Sequence, residues 1–484
     1  MNYKMIFKVL GYLLLIIAVS MIPPFLISLF KEQYDMIAFA ISIVLTFSIG
    51  FILTRIKLEN TNTKIKAKEG LVIVTLGWIF ASIFGALPFY ISGSIPSYVD
   101  AFFETVSGFT TTGATIINDI EVLPMGILFW RSFTHWIGGM GILVVAVAVL
   151  PMMGAGGFHV FKAESPGPIA DKIVPRIKDT AKILYATYII ISILEFILLL
   201  FGGMTPFESI VHTFGTLGTG GFSTRNGSIG AFNSSYIFIV ISIFMIMSGA
   251  NFSLYYDLYK GKWRDVIKNS ELKLYLSIIA ISVFLITLDT NFHLYHNLFN
   301  AFKHSLFQVS SIITTTGYTT FDYEKWSSFS KSILFLLMFV GGSAGSTGGS
   351  IKVIRILALL KLVKRELTKI IHPRAIVSVK FGNKPVSEDT LLNISSFFML
   401  YMLIFILGTV IISFENISFI SAASAVAATL GNIGPGFEFV GPTHTYSNFS
   451  DFSKILLSFL MLLGRLELFT VIALLTPKFW KREL

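Results

Sequence analysis

FFETVSGFTTTGAT, residues 102–115, is partly apolar, too short to cross a bilayer, and ends in small and hydroxyl residues that close on Gly113. The same design returns as FESIVHTFGTLGTGGFST at 207–224, FKHSLFQVSSIITTTGYT at 302–319 and ISFISAASAVAATLGNIGPGF at 417–437. Aligning Gly113, Gly220, Gly317 and Gly434 gives separations of 107, 97 and 117 residues (220−113, 317−220, 434−317), the spacing of one ancestral unit used four times. Such a unit, set four times around an axis, makes a pore.

The chain around these segments has 484 residues, 54% hydrophobic and 13% charged, with a mean hydropathy of +0.76. A soluble core cannot hide that much apolar surface, so the sequence reads as a multi-span membrane protein. Apolar runs of about 20 residues, enough to cross about 30 Å of hydrocarbon, fall near 5–30, 36–55, 70–92, 125–152, 181–203, 234–258, 272–291, 330–360, 391–413 and 453–475. The first follows Lys4 and Lys8, is too long for a signal h-region and lacks a small-x-small cleavage site, so it reads as a retained span.

Ten crossings place five basic stretches on one side. These hold Arg55, Lys57, Lys64, Lys66 and Lys68; Lys162, Lys172, Arg176, Lys178 and Lys182; Lys260, Lys262, Arg264, Lys268 and Lys273; Lys352 through Lys361, Lys364, Arg365, Lys369 and Arg374 to Lys384; and Lys478, Lys481 and Arg482. By the positive-inside rule that side is the cytoplasm, and both termini are there. This alternation, rather than nucleic-acid binding, accounts for the net charge of +10.

The four short segments lie in the opposite loops, each between two full spans. Irregular backbone at membrane depth is tolerated only where protein buries it or water lines it, and four loops on one axis satisfy that for each other. The expected fold is an all-α polytopic membrane protein. Two extra N-terminal spans (1–60) precede four helix, re-entrant loop, helix units around a pseudo-fourfold pore, at 61–165, 166–265, 266–375 and 376–484.

The segment tips carry no carboxylate, so their chemistry must come from backbone carbonyls and hydroxyls, the groups that replace the hydration shell of a large monovalent cation. The candidate ion-binding residues are Thr111, Thr112, Gly113, Gly218, Thr219, Gly220, Thr315, Thr316, Gly317, Asn432, Ile433 and Gly434. Half-helices entering from outside would aim the negative ends of their dipoles at the pore centre, again favouring a cation.

Two features stand apart from the repeat. The eighth span is interrupted by Gly341, Gly342, Ser343, Ala344, Gly345, Ser346, Thr347, Gly348, Gly349 and Ser350, which cannot hold a helix and should form a mobile loop at membrane depth. A phosphate loop would need Lys352 directly after a glycine and a strand before it, and has neither. In the last span Arg465 is costly at depth and so a functional candidate. Its pairing with Glu467 within one helix is disfavoured, because residues two apart face different ways.

Other charged residues leave alternatives open. Glu104 and Glu208 either hold the tips from behind or face water, and Arg131, Trp130 and Trp136 fit an interfacial belt. Asp119, Glu121, Asp322, Glu324 and Glu438 could concentrate cations, but Arg225, Lys325 and Lys331 dilute them, so the rim reads as solvated. The chain has no cysteine, no clustered histidines, no His-Glu-x-x-His and no aspartate cluster, so an enzyme or metal centre is not expected.

The four segments, the glycine-rich break at 341–350 and the Gly-Arg-Leu-Glu-Leu-Phe-Thr run at 464–470 together resemble the Trk/Ktr/HKT superfamily of potassium transporters over essentially the whole chain. The two extra N-terminal spans resemble its Trk-H branch. The resemblance implies a potassium-translocating subunit of a bacterial inner membrane that forms homodimers, each protomer with its own pore. It implies a cytosolic regulatory partner with nucleotide-binding RCK domains, of the Trk-A type, so that nucleotide sits on the partner and this chain holds no cofactor besides potassium as substrate. It carries the family's gating loop onto Gly341–Ser350, its pore-facing arginine onto Arg465, and its selectivity glycines onto Gly113, Gly220, Gly317 and Gly434. Membrane lipid is a further expected partner of the basic loops. A symporter coupled to sodium or protons is the alternative, for which Glu195, Asp257 and Glu467 are the intramembrane acids.

Overall fold

Apolar chain in hydrocarbon must close its own backbone hydrogen bonds, and this chain does so as helix almost throughout. The computed structural model describes residues 1–57, 66–139, 141, 177–375, 377–382 and 384–481. Six of the described helices are long and apolar enough to cross a membrane: Tyr3–Phe30, Asp35–Thr54, Ala67–Ile91, Lys182–Phe201, Ser270–Tyr295 and Glu388–Glu415. They match six of the ten predicted spans.

The other four are not continuous helices among the described residues. Ser235–Ser248 and Phe252–Tyr259 meet at a bend of 93° and give a seventh crossing if counted together. Ser328–Leu337 and Val353–Ile371 flank the glycine-rich loop, and Asp451–Arg465 parts from Leu468–Leu475 at Glu467, whose φ is 55°. Met125–Gly139 begins the predicted 125–152 span. Residues 140 and 142–152 of that span lie outside the described residues, as do Lys64, Lys162, Lys172, Arg176 and Arg482.

Each short segment forms a helix: Tyr98–Phe109, Pro206–Leu217, Leu298–Ile313 and Phe419–Leu430, of 12, 12, 16 and 12 residues. At 1.5 Å per residue these reach roughly 18–24 Å, short of a bilayer core. All four start alike. Ser97, Thr205, Asn297 and Ser418 accept the backbone N–H three residues on, at Asp100, Glu208, Asn300 and Ser421. Each cap satisfies an orphan donor and stabilises its helix by about 1 kcal/mol.

The N-terminal spans cross closely at Gly11 and Gly50, where a Cβ on either would press on the other's carbonyl oxygen at 2.8 and 3.0 Å. Ile37, Val44 and Ile52 are more than 60% exposed on the outer face, an apolar surface suited to lipid. A two-stranded antiparallel pair, Lys380–Phe381 with Lys384–Pro385, follows the Val353–Ile371 helix.

Candidate functional site: a closed ring of four loops

The four short helices also stop alike. Thr111 N–H donates to Gly108 O (3.1 Å) and Thr112 N–H to Ser107 O (2.9 Å). The same two bonds recur from Thr219 and Gly220, from Thr315 and Thr316, and from Asn432 and Ile433. This is the Schellman ending, whose left-handed residue is usually glycine. Here it is Thr111, Thr219, Thr315 and Asn432, with φ of 55°, 55°, 60° and 54°. A left-handed conformation costs an L-residue about 1–2 kcal/mol, and two of the threonines use their hydroxyls below the ring, as described below. Two positions on, Gly113, Gly221, Gly317 and Gly434 turn left-handed again, with φ of 80°, 77°, 82° and 105°.

This repeat corrects the alignment. The partner of Gly113 in the second loop is Gly221, not Gly220, so the separations are 108, 96 and 117 residues (221−113, 317−221, 434−317). The loops then close on one another. A Cβ on Gly113 would strike the carbonyl oxygen of Gly220, one on Gly221 that of Thr316, and one on Gly317 that of Ile433. A Cβ on Gly434 would press on Thr112 O at 2.8 Å. The contacts run from first loop to second, third, fourth and back to first, and they bring Thr112, Gly220, Thr316 and Ile433 to one level. Gly220 is small for another reason, because its Cβ would meet the buried His135 ring. All twelve expected ion-binding residues lie in these loops or at the helix ends that feed them.

Behind the ring, the position seven residues before each left-handed residue is Glu104, His212, Gln308 or Ala425. Glu104 is 1% exposed, accepts from Thr115 Oγ1 and Ile116 N–H at 3.0 Å each, and is paired with Arg131. His212 Nε2 lies 2.9 Å from Ser223 Oγ. Both side chains fasten the strand that climbs out of their own loop. Glu208 instead caps its helix and pairs with Arg225.

Arg131 does not join an interfacial belt. It is 1% exposed, donates to Ser223 O at 3.2 Å and lies 3.7 Å over the Phe222 ring. Trp130 is buried as well, and Trp136 donates to Ser192 Oγ. The signal for this was present in Glu104, because an acid and an arginine in two apolar segments of one unit need each other.

On the helical side of the ring lies the glycine-rich loop. Most of it is buried, and the carbonyls freed by the 93° bend take its N–H groups: Ser343 donates to Gly249 O (2.8 Å) and Thr347 to Ser248 O (3.3 Å). Phe252 N–H returns a bond to Gly345 O (3.1 Å). Glu271 Oε1 accepts from Ala344 N–H and Ile354 N–H, and so grips both limbs. Gly349 N–H donates to Thr315 Oγ1 (2.6 Å), and a Cβ on Gly349 would strike Gly431 O. Arg465 reaches Thr347 O at 2.9 Å, Thr111 Oγ1 at 3.4 Å and Gly138 O, while Glu467 pairs with Arg355 at 2.6 Å. The loop thus lies tied across the base of the third and fourth loops, with Arg465 joining it to the first.

A cavity lined by Gly113, Gly221, Gly317 and Gly434 opens on the other side. The charges around it are held in place. Lys325 pairs with Asp322 and Lys331 with Glu324, while Asp119 and Glu121 accept from Asn226.

A helical membrane protein in which four like loops close a ring of carbonyl oxygens, with no carboxylate at the tips, belongs with proteins that handle cations rather than with enzymes. Comparison with known proteins agrees: residues 35–482 match the TrkH family, described as cation transport protein. The chain is 39% identical to the Trk system potassium uptake protein TrkH of Salmonella typhimurium, over 99% of this chain and 100% of that one. It is 36% identical to the Trk system potassium uptake protein TrkG of Escherichia coli, over 99% of each. The crystal structure of the potassium transporter TrkH from Vibrio parahaemolyticus superposes with a TM-score of 0.88 at 36% identity, covering 99% of this chain and 100% of that one. The chain belongs to the TrkH family. It is therefore an integral membrane transporter and not an enzyme.

Proposed function

We propose that the chain carries potassium through a gated, channel-like pore along the axis of the four-loop ring. The observation that carries this reading is the closure of Thr112, Gly220, Thr316 and Ile433 carbonyls against the four left-handed glycines. An ion moved into low dielectric costs on the order of 20 kcal/mol in the Born limit, and a ring of carbonyls offsets that cost. The selectivity filter is then Thr111–Gly113, Thr219–Gly221, Thr315–Gly317 and Asn432–Gly434, with Gly218 at its base. Relatives named as potassium uptake proteins support the choice of ion.

Gly341–Ser350 and Arg465 are the gate in this account, and the bonds to Thr315, Thr111 and Gly138 fit its closed position. Counting each broken pair as one span, the chain crosses a bacterial cytoplasmic membrane ten times with both termini inside. It works as a homodimer with a cytosolic RCK-domain partner that binds the nucleotide. Rubidium uptake into proteoliposomes holding this chain should be blocked by potassium and little by sodium; equal blockade by the two would contradict the reading.

A second reading, symport with protons, draws on Glu195, which is wholly buried beside Thr216 and in no ion pair among the described residues. It requires rubidium flux to follow an imposed proton gradient at fixed potassium. Flux indifferent to that gradient removes it.

A further inference from the structure

The four loops meet at four seams, and at each a buried side chain donates to a loop carbonyl on the cavity side of the ring. Between first and second, Arg131 holds Glu104, which grips Thr115 and Ile116, and donates to Ser223 O. Between second and third, Tyr318 Oη donates toward Phe222 O and His212 O, both at 3.2 Å. Between third and fourth, Tyr323 Oη donates to Gly436 O at 2.7 Å. At the fourth–first seam, Tyr446 Oη donates to Gly434 O of its own loop at 2.9 Å, and its backbone N–H crosses the seam to Thr115 O at 2.8 Å. None of the four side chains is more than 2% exposed.

A tyrosine has two rotatable side-chain bonds and a rigid ring, so a bond at its far end fixes the distance from its own backbone to the accepting carbonyl. It acts as a strut. Tyr318 directly follows Gly317, and its acceptor Phe222 directly follows Gly221, so this strut sets the spacing of two ring glycines. The sequence reserves the role for different chemistry at different seams, with three phenols and one guanidinium neutralised by a carboxylate.

A carbonyl ring that could contract freely would solvate a smaller ion as readily as a larger one. We propose that Arg131, Tyr318, Tyr323 and Tyr446 are specificity-determining positioning residues that hold the ring at one diameter without touching the ion. The inference rests on the reading of the ring as a potassium site.

The test is rubidium uptake into proteoliposomes with potassium or sodium as competitor, for the full chain and for Tyr318→Phe and Tyr323→Phe. Tyr98→Phe is the control, since its hydroxyl donates to Ile83 O away from the ring. The energy of one neutral hydrogen bond limits the fall in preference for potassium over sodium to roughly two- to tenfold. That fall is expected in both strut variants, with uptake retained and Tyr98→Phe unchanged. Unaltered preference in both strut variants, or an equal fall in Tyr98→Phe, overturns the proposal. Abolished uptake in both overturns it too, because a loosened ring predicts a more permissive path rather than a closed one. If the unaltered chain is itself blocked equally by the two ions, the potassium reading falls first.

Discussion

On the cavity side, Gly113, Gly221, Gly317 and Gly434 stand in near-identical backbone, three of them pressed against the next loop's carbonyl and the fourth closing on the first. On the helical side no two neighbours are alike. The helix that follows the second loop has a 93° bend, the one after the third a ten-residue glycine-rich break, and the one after the fourth a break at Glu467 that follows Arg465. On the proposed reading, a duplicated unit keeps its repeat where all four copies must supply the same oxygen to one ion. It loses the repeat where a single copy can block the path, because one loop is enough to close a pore. Thr111 and Thr315 join the two sides, with backbone in the ring and hydroxyls turned to Arg465 and Gly349.

The sharpest way to break the cavity side is to unpair the buried Arg131 and Glu104. Glu104→Gln leaves Arg131 without its counter-charge, and removing one partner of a buried pair costs about 3–5 kcal/mol. The midpoint of thermal unfolding in detergent should drop markedly, and Glu104→Gln with Arg131→Gln should recover much of it. No drop in the single variant would mean that the pair does not brace the loops.

The corrected register makes a second test. Gly221→Ser forces a side chain into a left-handed position and against Thr316 O, adding about 1–2 kcal/mol of backbone strain and about 1–3 kcal/mol of overpacking. Gly221→Ser and Gly113→Ser should both lower the preference for potassium over sodium. Gly220→Ser meets His135 instead and should act on thermal stability more than on selectivity. The reverse pattern would restore the alignment on Gly220.

On the helical side, with Arg465 read as part of the gate, Arg465→Gln removes a cation beside the proposed path. At about 8 Å and an effective dielectric of 20 its repulsion is roughly 2 kcal/mol, about thirtyfold in ion occupancy. Basal rubidium uptake by this chain alone should rise by up to that factor, and Arg465→Lys should stay near the starting rate. Equal rates in all three would remove Arg465 from the gate. The smallest effect belongs to the caps that all units share. Thr205→Ala should cost about 1 kcal/mol of stability with selectivity intact, and a changed potassium preference would show that the capped end is coupled to the ring.

Much of this was legible in the residues. Six apolar runs became helical stretches long enough to cross a membrane, since hydropathy and length alone decide a lipid-facing span. The four short segments, too, became helices that end where the threonines and glycines begin. The breaks were harder to read. Ser235–Ser248 and Phe252–Tyr259 look continuous by hydropathy, and only Gly249 and Asn251 mark the bend, which exists because the glycine-rich loop fills it. Gly218, Gly220 and Gly221 in one loop gave three choices of register, and only the sign of φ separates them. Arg131 was misjudged because its partner Glu104 lies 27 residues earlier and meets it only when the unit folds. Where the sequence predicts a mobile loop, 341–350 is a mostly buried segment with bonds to the bend, to Glu271 and to Thr315.

The most direct test of the ring is where the ion sits. Crystals of this chain grown in rubidium in place of potassium should show anomalous density on the axis, level with the Thr112, Gly220, Thr316 and Ile433 carbonyls. Density absent from that level while present elsewhere along the chain would contradict the central claim.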